Sequence, residues 1–242
     1  DQEASASGKF SAQQLRELIG KLASVPPLQP PTDAIDMGER YMMLDTTQYV
    51  AQLPPTQAGK LLADITGRGD APPPWLFPFL PIAYEQWMIA GNHYDDGLLA
   101  ALRKPTYAMR RSAIDEMERG IDRKVHDNRW LSVLSPAWPQ GIFMMQLTRV
   151  ETRWETARAE GRLSVAAAAL AAYKADHGDY PATLSDLATD YLKELPLDNF
   201  TDRPLIYSRT KSGYTLYSVG PNMTDDGGES TGPADDIVAS RK

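Results

Sequence analysis

Leu15, Leu18 and Leu22 recur at helical spacing behind Ser11, and Gln14 follows Ser11 by three positions, so that each of those two side chains can cap the other's backbone N–H. The pattern predicts a first helix from about Ser11 to Ser24. The prolines of "VPPLQPPTDAID" break it, and Met37, Tyr41, Met42 and Met43 begin a second helical pattern that reaches about Gln52. "LPPTQAGKLLADITGRGDAPPPW" holds a short third helix between two proline breaks. From Leu80 to Lys124 the spacing stays helical on both sides of Pro105, with Met109, Ile114, Met117 and Ile121 as the inward face of the second segment. "VHDNRWLSVLSPAWPQG" then reads as a loop and as the domain boundary.

A longer element follows. Phe143, Leu147, Val150, Trp154, Ala157, Gly161, Val165, Ala168 and Ala172 are three or four apart throughout, which predicts one helix from about Pro139 to His177, a spine joining both halves of the chain. Its seam passes from bulky residues to the small ones of "SVAAAALAAY". Gly178 and Pro181 in "HGDYP" end it. "TLSDLATDYLKELP" predicts one or two short helical turns from Leu184 to Leu195. "PLIYSR" and "GYTLYSVG" alternate around "TKSG" and predict a β-hairpin, Leu205 to Arg209 with Tyr214 to Val219. The expected fold class is α+β. It comprises a lead-in over residues 1–10, an all-helical domain over 11–138, and a long helix with a small antiparallel sheet over 139–242.

Charge narrows the partners. A net charge of −7 and a pI of about 5.0 lack the basic field that nucleic acid or an anionic membrane surface would need. The absence of cysteine removes thiol chemistry, disulfides and zinc ribbons. No run of eighteen apolar residues spans a bilayer within the sequence, and the opening "DQEASASGKF", without an initiator methionine, suggests that a leader or anchor was removed.

Three segments in the same order, "ALAAYKADHGDYPATLSDL", "YLKELPLDNFTDRPLIYS" and "GYTLYSVGPN…DDI", resemble the soluble domain of the major pseudopilin of type II secretion systems and related type IV pilin-like proteins. The resemblance covers about Val165 to Ile237. It implies a long helix ending at a histidine–glycine–x–tyrosine–proline corner, a small antiparallel sheet, and a final calcium-binding loop. It also implies a non-enzymatic protein of the periplasm or cell envelope, with other envelope or secretion-related proteins as partners. Membrane attachment would come only through an anchor absent from this sequence. The chain departs from the family in three respects. About 138 residues precede the helix, so polymerisation as an ordinary pilin is not expected. Asn222 stands where the family has aspartate, and Asn199 and Thr201 stand where it has proline and glycine.

The stretch "SVGPNMTDDGGESTGPADDI" therefore carries the candidate chemistry. Calcium takes six to eight oxygens from carboxylates, amide side chains and backbone carbonyls. Glycines at 220, 227, 228 and 232 let the backbone turn, and Asp225, Asp226, Asp235 and Asp236 supply charge. Through the resemblance, Asp235 and Asp236 match the closing carboxylates and Asn222 the first side-chain ligand, while Val219 and Thr224 offer carbonyls. Asp225 or Asp226 compensates for the neutral Asn222. The spacing is not that of an EF-hand. The competing reading of the same residues is a solvated acidic tail.

The other candidates are weaker. His93 with Asp95 and Asp96, and His126 with Asp127, suggest an alternative: an envelope enzyme or ligand-binding protein with its site in the helical domain. HExxH, GxSxG and Walker A motifs are all missing. His177 is expected to serve the helix end. "RGD" at Arg68 to Asp70 is discounted as a chance tripeptide, and "PPPWLFPFLP" is read as a buried crossover between helices.

Overall fold

The computed structural model describes residues 10–66, 76, 79–125, 138–188, 190–211, 213–231 and 235–240. Over these residues the chain is α+β. In chain order the principal elements are α1 (Ala12–Ser24), α2 (Arg40–Gln52), α3 (Pro55–Thr66), α4 (Leu80–Leu102), α5 (Tyr107–Val125), α6 (Trp138–His177), β1 (Ile206–Arg209), β2 (Tyr214–Ser218) and β3 (Ile237–Ser240). The chain divides into two compact units, one of Asp1–Gln29 with Thr152–Lys242 and the other of Pro30–Glu151. Of the stretch 125–141, expected as a loop and the boundary, residues 126–137 lie outside the described residues, Val125 ends α5 and 138–141 begin α6, and the division falls within α6.

The Pro30–Glu151 unit is helical where it is described. A helical turn (Thr32–Ala34) and a π-helical turn (Ile35–Glu39) lead directly into α2. Met37, Tyr41 and Met42 are exposed, so the buried face of this segment is instead Ile35, Met43, Thr47 and Val50. Val50, Ala58, Leu62, Leu76, Ala83 and Trp87 belong to one apolar cluster, and Ile35, Leu98, Leu102 and Ile114 to another. Arg40 ties α2 to α4 by donating to Asp96 Oδ1 (2.8 Å) and Asn92 Oδ1 (3.1 Å), and it also donates to Asp36 (2.9 Å). On α5, Ile114 is buried as expected and Met109 is exposed; the Ile121 side chain is outside the described residues. Arg110 Nε donates to Glu151 Oε1 at 2.8 Å in a buried ion pair.

The expected seam of α6 is corrected around its middle. Val150, Ala157 and Gly161 are exposed, and the buried row is Glu151, Glu155, Ala159, Leu163, Ala166 and Leu170. The two rows are neighbours on the helix, and a reading that keeps carboxylates out of a core chooses the wrong one. Their charges are met where they lie. Glu151 pairs with Arg110, while Glu155 accepts from Asn199 Nδ2 (2.6 Å) and Arg158 Nη1 (3.0 Å).

The second unit gathers its core on the small-residue end of α6. Ala166, Ala169, Leu170 and Ala172 pack with Leu184, Leu187, Leu205 and Leu216, and also with Leu15 and Ile19 of α1. Small side chains let neighbouring backbones approach, which is what the alanine run offers. The expectation that the first helix belongs to the helical domain is thereby corrected: its leucine face is used up by this core. α1 begins with the expected capping box, Ser11 and Gln14 each receiving the other's backbone N–H. Arg16 bonds Asp176, which also accepts from the Tyr191 hydroxyl at 2.7 Å, and the guanidinium lies 5.6 Å from the Tyr191 ring centroid.

α6 ends as expected at Gly178, whose φ of +84° is left-handed and whose N–H donates to Lys174 O at 2.8 Å. His177 serves the helix end, with Nδ1 3.0 Å from Tyr173 O and its ring stacked on Tyr173. The following helix is shorter than expected, a 3₁₀ turn over Leu184–Leu187, because Ala188 turns extended and bridges to Leu192. Tyr191 and Leu192, adjacent in sequence, are both buried, which a one-faced surface helix would not allow. The sheet has the order β1-β2-β3, antiparallel throughout. The hairpin β1–β2 matches the expectation to within a residue at each end. β3, after the acidic stretch, was not foreseen.

Candidate cation-binding loop

The acidic stretch connects β2 to β3, and its described part is residues 219–231 with 235 and 236. It starts from a fixed base. Val219 is buried, and its N–H donates to Asp198 Oδ2 (2.9 Å), while Asp198 Oδ1 accepts from Phe200 N (2.9 Å). Asp198 is itself buried with both oxygens satisfied, so it fixes the direction in which the chain leaves β2.

The two limbs of the loop then cross. Gly220 has φ +68°, and a Cβ on it would lie 2.1 Å from the Asp235 carbonyl oxygen, so only glycine fits. Asn222 N–H donates to Asp235 Oδ2 (3.1 Å) and Oδ1 (3.3 Å). Asn222 Oδ1 accepts from Thr224 N (2.6 Å), an Asx turn, and its Nδ2 donates to Asp226 Oδ2 (2.8 Å). Asp225 faces elsewhere: its Oδ1 accepts from the Tyr217 hydroxyl and from Gly227 N, both at 2.9 Å. Asp236 Oδ2 accepts from Gly228 N (2.7 Å) and Asp226 N (3.1 Å), and Asp236 N–H donates to Glu229 O (3.0 Å).

Asp236 decides what the loop can do. It is 2% exposed, and its Oδ1 is buried without a hydrogen-bond partner among the described residues. A carboxylate oxygen that is neither solvated nor bonded is costly. Burial raises the Asp236 pKa above the ordinary carboxylate value, and the negative charges of Asp226 and Asp225 add to that. Asp235 is raised in the same direction, by burial first and then by Asp226. The Asp236 Oδ1 is thus left as one buried acceptor in a loop whose other carboxylate contacts are made by amide donors.

The site residues expected from sequence are thus partly brought together. Asn222, Asp226, Asp235 and Asp236 are joined by hydrogen bonds, and of the two alternatives offered for charge compensation, Asp226 is the one beside Asn222. Asp225 is drawn toward Tyr217, Val219 lies at the loop entrance, and Thr224 sits exposed on the Asx turn. The carboxylates are engaged in capping amides, and among the described residues no three carboxylate or imidazole groups are set to hold a metal ion. Residues that sequence reading missed are Asp198, Tyr217 and Glu229. An aspartate just before an extended-to-turn segment such as "DNF" was the available signal for Asp198.

Among the described residues, His93, Asp95 and Asp96 do not form a metal-holding group. His93 is exposed, Asp95 is buried and Asp96 is bound to Arg40. His126, Asp127 and the "RGD" tripeptide lie outside the described residues. Of "PPPWLFPFLP", Leu76 is buried and Phe79 exposed, with most of the rest outside the description. Compared with family models, with curated proteins and with solved structures, the chain matches none of them.

Proposed function

We propose that this chain is a non-enzymatic cell-envelope protein whose C-terminal part is a pseudopilin-like domain stabilised by calcium. Its role is then structural or interaction-mediating, with other envelope or secretion-related proteins as partners. The observation that carries the calcium reading is the buried, unpartnered Oδ1 of Asp236 beside Asp235, Asp226 and Asn222. Support for the pseudopilin reading comes from the order of elements: a long helix ending at the Gly178 corner, an antiparallel sheet, and an acidic loop between its last two strands. The net charge of −7 argues against nucleic acid as a partner.

Asp226, Asp235 and Asp236 with the side-chain oxygen of Asn222 would hold the ion, aided by the Val219 and Thr224 carbonyls. The ion supplies positive charge to a pocket of crowded carboxylates. Asp198 and Gly220 fix the backbone, Tyr217 keeps Asp225 aside, and the Asx turn presents the Asn222 oxygen. A loop with one amide in place of a carboxylate suits weak affinity, and hence the calcium-rich surroundings of the periplasm or cell surface. No described helix is long and apolar enough to cross a membrane.

The test is calorimetric titration of calcium into the chelator-stripped full chain. Saturable binding that is lost in Asp236→Ala supports the reading. Absence of binding at millimolar calcium overturns it.

A further inference from the structure

We propose that the outward face of the segment from Thr32 to Gln52 is a docking surface for a basic amphipathic helix of another protein. This surface presupposes the interaction-mediating role put forward above and gives it a place and a partner chemistry; the acidic loop plays no part in it.

Large apolar side chains are gathered on this face. Met37 is 76% exposed, Tyr41 75%, Tyr49 57% and Met42 51%, while Met43, Thr47 and Val50 take the buried side of the same helix. The π-helical turn Ile35–Glu39 at its start winds in an extra residue, so that Ile35 is buried as well and Met37 and Tyr41 stay outside. From Met37 to Tyr49 the stripe is about 18 Å long at 1.5 Å per residue. That length suits a helical partner anchored once per turn or two. Tyrosine and methionine are side chains that protein interfaces favour, and methionine adapts its shape to what it meets.

Charge selects the occupant. Between Lys21 and Lys60 the only lysine or arginine is Arg40, against Asp33, Asp36, Glu39 and Asp45. Arg40 is committed to Asp36, Asp96 and Asn92. The helix to which it ties this segment, α4, contains no lysine or arginine and carries Glu85, Asp95 and Asp96. Asp33 and Asp45 are exposed beside the apolar stripe. A face that is apolar along its length and acidic at its margins repels nucleic acid, an anionic membrane and a second copy offering the same face. A helix with an apolar side flanked by lysine or arginine answers both features.

The experiment titrates the full chain with a synthetic amphipathic helix of leucine and lysine, and with its leucine–glutamate counterpart. Nuclear magnetic resonance maps the contact, and calorimetry measures the affinity. The lysine peptide should shift the Met37 and Met42 methyl signals and the amides of residues 32–52, and the glutamate peptide should not. Tyr41→Ser with Tyr49→Ser should weaken binding about tenfold or more. Asp33→Asn with Asp45→Asn should weaken it more than Glu17→Gln with Glu116→Gln, which removes the same charge from exposed positions on α1 and α5. Equal weakening by the two charge variants, or equal binding of the glutamate peptide, overturns the assignment of a basic partner. Shifts centred on residues 222–236 or spread over the acidic surface overturn this face and leave an interaction role at that other site. Absence of binding overturns the docking surface. Self-association that sedimentation detects and the tyrosine pair abolishes also overturns it, because the occupant is then a second copy. Calcium titration judges the calcium reading separately and moves with none of these outcomes.

Discussion

Gly220 and Asp235 approach so closely that a methyl group on Gly220 would lie 2.1 Å from the Asp235 carbonyl oxygen. This crossing closes the acidic loop over its carboxylates and makes Gly220 the least replaceable of its described glycines. Gly220→Ala must both hold a left-handed backbone and part the two limbs. A loss of about 1 to 3 kcal/mol follows from the backbone alone. Gly227→Ala, also left-handed but with nothing within 4 Å of its added Cβ, should cost less. Urea unfolding of the two variants compares them, and equal losses would mean that the limbs are not in contact.

Asn199 is, with Arg158, one of the partners that make a buried Glu155 tolerable. Its amide donates to Glu155 Oε2 at 2.6 Å and to the Glu155 carbonyl at 2.9 Å, and both residues are buried. Asn199→Ala should destabilise the chain by roughly 1 to 3 kcal/mol, because a hydrogen bond to a charged group is lost while the Arg158 donor to Glu155 remains. Asn199→Asp should be worse near neutral pH and recover on acidification, since it sets a second carboxylate beside the first. Thermal melting at two pH values separates these effects.

α1 is held by burial more than by its ion pair. Leu15 is 2% exposed within the core, whereas the Arg16 side chain in the bridge to Asp176 is 51% exposed. Leu15→Ala is expected to cost about 2 to 5 kcal/mol, and Arg16→Ala no more than about 1 kcal/mol. Chemical denaturation measures both. A larger loss for Arg16→Ala would reverse the assignment.

Asp235 and Asp236 give the loop a pH dependence whose direction depends on calcium. Burial, and then the neighbouring Asp226, holds both above the ordinary carboxylate range. A carboxyl raised in the folded state contributes stability that is complete below its unfolded pKa and is lost as pH rises through the shifted value. In calcium-free buffer, lowering the pH from neutrality toward the ordinary carboxylate pKa of about 4 should therefore raise the melting midpoint. With calcium bound the same step should lower it, because protons compete with the ion. Asp235→Asn with Asp236→Asn should flatten both trends, which differential scanning fluorimetry over a pH series would register.

Much of the local structure was legible because it is locally encoded. Ser11 with Gln14, Gly178 before Pro181, and the alternation around "TKSG" each dictate a cap, a stop or a hairpin with little help from the rest of the chain. Legibility failed where distant partners decide. Glu151 and Glu155 enter the core only because Arg110, Asn199 and Arg158 meet them, and none of those pairings is marked in the spacing of α6. The leucine face of α1 revealed that the helix packs, but not that its partner lies about 150 residues away. In the acidic loop the carboxylates and glycines were readable by type. The separation of Asp226 from Asp225 was not, since it depends on Tyr217 reaching back from β2. β3 is only four residues long and carries no clear alternation of its own, so it became visible only through its pairing with β2.

The central claim is that the loop after β2 is a calcium site that stabilises the C-terminal fold. The most direct measurement is the melting midpoint of the chelator-stripped chain as free calcium is raised through the millimolar range, with magnesium at equal ionic strength as the control. The account predicts a saturable rise with calcium, reversed by chelator and absent in Asp236→Ala. A midpoint that does not move with calcium or with chelator would contradict it.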